Sequence, residues 1–227
     1  MRKYEFTGEE KEIFDLRKTV TLHRIRAVRS FGDVKEGELG GWIEYEKNLS
    51  QEGEAWVGGN AMVFNDAEVR DSAMVCDHAT VQEHAIVCDH ARVQDYAEIF
   101  FKSTISGNAI VRDHARVGTT TGISDEAKIC DYAKVVGNAS VCGNAVVCDH
   151  AVVETYATVR DHVTVQDRAR IDNTAEVSGN VKVRDHAVVC GSAKVSGNAE
   201  ISENDRVFES NDVEYQPESN KRKRHGR

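Results

Sequence analysis

Proline is almost missing from this 227-residue chain: the only one is Pro217. A long hydrogen-bonded strand array can therefore run without the breaks proline imposes. No stretch is apolar enough to span a membrane as a helix. The start, Met1-Arg2-Lys3-Tyr4-Glu5, lacks the apolar core of a secretory signal, so the cytoplasm is the expected compartment. The six cysteines contain no Cys-x-x-Cys pair, and a reducing compartment argues against disulfides. No flat face carries a threonine array, which excludes an ice-binding surface. The net charge is −9, and the last seven residues, Lys221 to Arg227, hold five positive charges, leaving −14 on the rest. So acidic a body argues against broad nucleic-acid binding. The basic end reads as a solvated tail, with a nucleic-acid hook as the other reading.

Also missing is any insertion or deletion between Ala55 and Val207. From Val57 to Val207 every sixth residue is Val or Ile, 26 positions without exception. Two residues before each stands a mostly small residue, alanine in 21 of the 26; the others are Ser103, Thr121, Val163, Val181 and Asp205. A period of six is neither helical nor that of a plain strand. In Ala61-Met62-Val63-Phe64-Asn65-Asp66, Ala61 and Val63 share one face of a short strand, Met62 and Phe64 share the other, and Asn65-Asp66 turn the chain. Each hexad is one strand and one corner of a polygonal solenoid with Val, Ile and Ala inside.

The corners count the sides. Positions 77, 95, 113, 131, 149, 167 and 185 are aspartate and 203 is glutamate, a step of three hexads. The other two corners are less uniform. A triangular coil follows. The span 57–207 is 151 residues, and 151/18 gives about eight coils, stacked at roughly 4.8 Å per strand into a prism about 40 Å long. The expected architecture is all-β: cap 1–54, solenoid 55–208, and a C-terminal segment and disordered tail over 209–227. Phe208 and Val213-Glu214-Tyr215 are expected to cover the last coil.

In the cap, Tyr4 to Glu10 reads as a strand entering a turn. Thr19 to Val28 reads as a second strand, although neither of its faces is cleanly apolar. Asp33 to Ile43 is a glycine-rich turn, and Trp42 and Trp56 are expected to pack over the open edge of the first coil.

The aliphatic-x-x-x-small-x units resemble the hexapeptide-repeat proteins, and that resemblance implies a left-handed parallel β-helix. Ile25-Arg26-Ala27-Val28, Phe31 to Gly37, Gly40-Gly41-Trp42-Ile43, Asn48 to Gly53 and Trp56-Val57 together resemble the YdcK-like proteins, which join such a cap to such a helix. The resemblance implies a loose acyltransferase label and supplies no catalytic residues. Acyltransferases on this helix usually hold an acyl donor such as acetyl-CoA in a groove between subunits of a trimer, near a general-base histidine. His114 and His150 are the candidates for that base. Many also carry a loop that breaks the repeat, and none breaks it here.

Most titratable residues fit the repeat itself. Histidines 78, 84, 90, 114, 150, 162 and 186 all occupy the second corner position, where a positive φ would favour Asn, Asp or His. The aspartates are expected to bond the backbone of their own turns rather than calcium. Zinc in the manner of the β-helical carbonic anhydrases would need histidines off this lattice, so no metal is expected. The cysteines each follow a core Val or Ile and read as small, semi-apolar, outward residues, with Cys130 and Cys148 stacked on adjacent rungs.

One corner departs from the pattern. Phe100-Phe101-Lys102-Ser103 replaces polar turn residues, and Gly118-Thr119-Thr120-Thr121-Gly122 follows one rung later. With His84 one rung before and Tyr156 three rungs after, His84, Phe100, Phe101, Lys102, Thr119, Thr120 and Tyr156 form a candidate binding patch. The favoured reading is a non-catalytic, self-associating binding or scaffold protein without a cofactor. The outward apolar residues Met74, Cys76, Ile110, Val146 and Cys148 suit a homotrimer. The alternative is an acyltransferase with acetyl-CoA or a related donor as co-substrate.

Overall fold

Each hexad contributes a two-residue strand ending on its core Val or Ile, such as Met62–Val63, Glu68–Val69 and Met74–Val75. The computed structural model describes residues 2–15 and 18–208. Successive strands lie on three different faces, and every strand pairs in parallel with the strand three hexads on, as in Met62↔Thr80 and Val63↔Val81. Face one begins in the array at Met62–Val63, face two at Glu68–Val69 and face three at Trp56–Val57. Every Val and Ile on the hexad column from Val57 to Ile201 is at most 1% exposed. The alanine two residues earlier also points inward, and its small volume lets three walls meet on one dry axis. Full burial of each aliphatic side chain stabilises by roughly 1.5–3 kcal/mol.

About nine coils result, one more than the hexads suggest, because the cap supplies the first. Strand β3, Leu39–Ile43, runs parallel to face one, with Trp42 opposite Met62 and Ile43 opposite Val63. Leu49 then bridges to Val69 on face two. Ile43 and Leu49 are both fully buried and stand six apart, as core positions should. Gly41 takes the alanine position, where a Cβ would come within 2.6 Å of the Ala61 carbonyl oxygen. Two extra residues between Leu49 and Val57 then put the chain into its regular step.

Above this coil lie β1, Tyr4–Asp15, and β2, Lys18–Ala27, paired antiparallel. β1 does not turn at Gly8 as the sequence suggests. Its pairing slips between Phe6 and Glu10, and Gly8 takes φ 91° at that bulge, so the strand continues. β2 also changes face. Val20 and Leu22 are buried against Phe64, whereas Ile25 and Ala27 join the main core. A register shift against β3 between Arg24 and Arg26 accounts for the mixed faces. Trp56 is buried edge-on to Phe31, with ring centroids 5.5 Å apart. Trp42 lies outside the core wall under the cations of Lys11 and Arg24. Lys3 is fully buried and donates to the carbonyls of Ala55 at 2.7 Å and Glu52 at 3.3 Å, sealing this end. Burial, and then the charge of Arg29, pushes its pKa down to about 8.

At the other end Val207 is only half-buried and Phe208 is 53% exposed. The expected cover from Val213-Glu214-Tyr215 and the basic run lie outside the described residues.

Candidate functional site

The corners form three edges, which set the positions of all the candidate residues. Edge I lies between faces one and two, edge II between two and three, and edge III between three and one. In every turn the first corner residue has positive φ, as at Asp77 (61°), Asp95 (58°) and Asp113 (60°). This corrects the expectation for the histidines. The left-handed residue is the one before each histidine, so the turn explains the aspartates and leaves the histidines unexplained.

The aspartates also act differently from expectation. Their carboxylates do not fold back on their own turns. On edge III each accepts the amide N–H of the next rung: Asp95 N–H reaches Asp77 at 3.3 Å, Asp113 reaches Asp95 at 3.2 Å, and Asp131 reaches Asp113 at 3.2 Å. The series continues through Asp149, Asp167, Asp185 and Glu203. This is one vertical line, as the triangular coil requires. It also leaves each carboxylate occupied with stitching coils together.

With the aspartates so fixed, the second corner residues of edge III stand in register. His78, Tyr96, His114, Tyr132 and His150 stack face to face, with centroids 4.9–5.2 Å apart. The alternation of His and Tyr from rung to rung is visible in the sequence; the stacking of their rings is not. The stack encloses His114 between two tyrosines. His150 ends it and lines a shallow depression of about 320 Å³ with Asp149, Asp167, Arg168, Asp185 and His186. Neither His114 nor His150 has a carboxylate partner within ion-pair distance. Among the described residues the histidines that do are His23, with Glu10 at 3.2 Å, and His84, with Asp66 at 3.6 Å.

Edge I is built differently. Edges II and III fill their left-handed positions with Asp and Gly, apart from Glu203. Edge I places Glu83 (61°), Phe101 (55°), Thr119 (69°) and Thr155 (62°) there. A bulky or β-branched residue in this conformation is strained, and such strain concentrates at functional sites. Three of these four positions are consecutive rungs. The turns beside them are closed by hydroxyls: buried Ser103 donates to the Phe100 carbonyl at 2.8 Å and buried Thr121 to the Gly118 carbonyl at 2.6 Å. The Ser103 hydroxyl also reaches the Thr119 carbonyl at 3.3 Å. On neighbouring rungs a backbone amide fills that role, from His84 to Phe101 and from Thr120 to Gly137. The Lys102 amide therefore has no backbone acceptor among the described residues.

His84, Phe101, Lys102, Thr119 and Thr120 line one depression of about 320 Å³. Phe101 is 49% exposed at its wall. Phe100 sits beside it, centroids 5.5 Å apart, with its ring against Gly118 and the Arg116 guanidinium 5.3 Å away. Tyr156 is three rungs along the same edge, 60% exposed and outside this depression.

Face two, which edge I borders, is the least charged. Ile86, Thr104, Gly122, Ser140 and Thr158 run up five rungs of it. Face three carries the Met74, Ile110 and Val146 column, which Arg92 and Lys128 interrupt. The cysteines are more covered than outward residues should be: Cys88, Cys130 and Cys190 are buried and Cys76, Cys142 and Cys148 half-buried. Neighbouring rungs shield them. Burial, reinforced by Asp77, pushes the Cys76 thiol up to about 12. Cys130 and Cys148 do stack, their Sγ atoms lying within 4.8 Å of each other.

No helix among the described residues is long and apolar enough to cross a membrane. No family model matches the chain. It is similar to the "Uncharacterized acetyltransferase YdcK" of Escherichia coli (strain K12), 38% identical over 74 residues, which are 30% of this chain and 23% of the relative. The match thus spans under a quarter of the relative's length.

Proposed function

We propose that the chain is a non-catalytic binding or scaffold protein that self-associates and takes a ligand on edge I. The observation that carries this reading is the strained depression of His84, Phe101, Lys102, Thr119 and Thr120 beside the uncharged stretch of face two. The Lys102 ammonium, its unpartnered amide and two threonine hydroxyls suit an anionic headgroup. Phe101 suits an apolar body attached to it. Packing face two against two further copies would make a homotrimer and bring the depression to the rim of a groove between subunits. The cytoplasm is the proposed setting. Sedimentation at several concentrations tests the trimer. Replacing Phe101 and Lys102 together tests the site: unchanged oligomeric state and unchanged ligand binding would overturn it.

A second reading, an acyltransferase, draws on the name of the relative and on His84. Asp66, which also pairs with Lys47, lies 3.6 Å from the His84 Nδ1, so His84 has a carboxylate within ion-pair reach that His114 and His150 lack. In that reading His84 is the base and acetyl-CoA or a related donor enters the depression. Thermal stabilisation by acetyl-CoA, with acetyl transfer lost in His84→Ala and kept in His114→Ala and His150→Ala, would favour it over the first.

A further inference from the structure

On face three, the residue just before the edge III aspartate forms a vertical column. On three rungs this residue serves that aspartate. Arg112 pairs with Asp113 at 3.1 Å, Arg184 with Asp185 at 3.3 Å, and Gln166 donates to Asp167 at 3.5 Å. Asp77 and Asp95, after Cys76 and Gln94, lack this partner, and so do two further consecutive rungs that both carry a cysteine. Cys130 and Cys148 stand where a cation or amide would, so Asp131 and Asp149 have no ion-pair partner among the described residues. The fold thus stacks two thiols beside carboxylates that each accept one backbone amide but face no cation within ion-pair distance.

The geometry suits a cation. The Sγ atoms of Cys130 and Cys148 and a carboxylate oxygen of Asp131 all lie within 4.8 Å of one another. A tetrahedral zinc with bonds of about 2.3 Å sets its thiolate donors roughly 3.8 Å apart, so the three donors need to close by an ångström or less. Cys130 is 6% exposed, while Cys148 and Asp131 are half-open to solvent, leaving a route of entry and a fourth position for water. A third cysteine, Cys88, lies close to Asp71 and Asp89. It offers a single sulfur, and Arg70 already neutralises Asp71 at 2.9 Å.

We propose that Cys130, Cys148 and Asp131 form a binding site for a soft divalent cation of the zinc and cadmium class. Binding deprotonates the thiol pair and releases its protons to solvent. It also supplies the positive charge that Arg112 and Arg184 supply on other rungs. Because the donors come from two successive coils, the ion would tie those coils together.

The test is a cadmium titration of the fully reduced chain, read by the thiolate-to-metal charge-transfer absorption, with zinc as competitor. One equivalent should give the band, and zinc should abolish it. Cys130→Ser and Cys148→Ser should each remove it, while Cys76→Ser, Cys88→Ser and Cys142→Ser should keep it. Asp131→Asn should weaken binding at least about tenfold. Circular dichroism of each variant checks that the strand array persists; serine is close in size to cysteine. Absence of the band, a stoichiometry that follows the total number of cysteines, or a band that survives in folded Cys148→Ser would overturn the proposal.

Discussion

Edges I and III have the same backbone, and they answer its demand in opposite ways. Both turn on a residue of positive φ. Edge III meets the demand with aspartate, which tolerates that conformation and also captures the amide of the next rung. Edge I meets it with Phe101 and the two threonines 119 and 155, which tolerate it badly. Stability is served on edge III, while edge I accepts strain and gains an aromatic, a lysine and a hydroxyl cluster around a depression. Sequence irregularity in a solenoid is informative where it falls on a position the backbone constrains.

The largest effect should come from the core that both edges share. Ile99→Asp places an uncompensated charge in a fully buried position. It should cost several kcal/mol and abolish cooperative unfolding measured by circular dichroism. The next experiment separates the edges by sign. Asp113→Ala removes a residue suited to positive φ and the acceptor of the Asp131 amide, and should lower stability by about 1–2 kcal/mol. Thr119→Asn relieves a β-branched residue at φ 69° and should raise stability by about 1 kcal/mol while weakening any ligand of edge I. Urea midpoints moving in the same direction for both variants would remove the distinction.

A smaller effect is expected from the ring ladder. Tyr132→Ala breaks contacts to His114 at 4.9 Å and His150 at 5.2 Å, and should cost about 0.5–1.5 kcal/mol, as aromatic pairs do. The last concerns pH. The Cys76 thiol moves from its ordinary 9.0 to about 12 on folding. The folded chain then holds this proton longer than the unfolded chain, so its stabilisation is complete below about pH 9 and declines as pH rises towards 12. Lys3 runs the other way. Its folded value of about 8 lies below the ordinary 10.5, so a cost present below pH 8 is relieved by pH 10.5. Stability curves of Cys76→Ser and Lys3→Met against pH should lose these opposite slopes.

Much of the fold was legible because the hexad column of Val and Ile never slips. What was hidden lay where that register is interrupted or where a side chain reaches another rung. Ile43 and Leu49 keep the six-residue spacing, but the two-residue excess before Val57 masks their coil. The bulge at Gly8 and the face change between Leu22 and Ile25 break the alternation on which strand reading depends. The first corner residue, not the second, carries positive φ, a distinction that residue preference alone could not make because Asp and His both occur at corners. The patch on edge I was legible as a departure from pattern. Its strain and the His84–Asp66 approach required coordinates, since Asp66 lies a full coil before His84 and the two meet only through stacking.

The uniform three-hexad step makes length a quantised property of this molecule. Excising residues 159–176 would remove one lap and rejoin every column to its own kind, giving a shorter rod with its faces unchanged. Excising only 159–164 would swing everything downstream by a third of a turn, setting the aspartate line over the wrong side. A change of whole laps therefore keeps every column in line, and it would alter the reach of the protein without altering its cross-section.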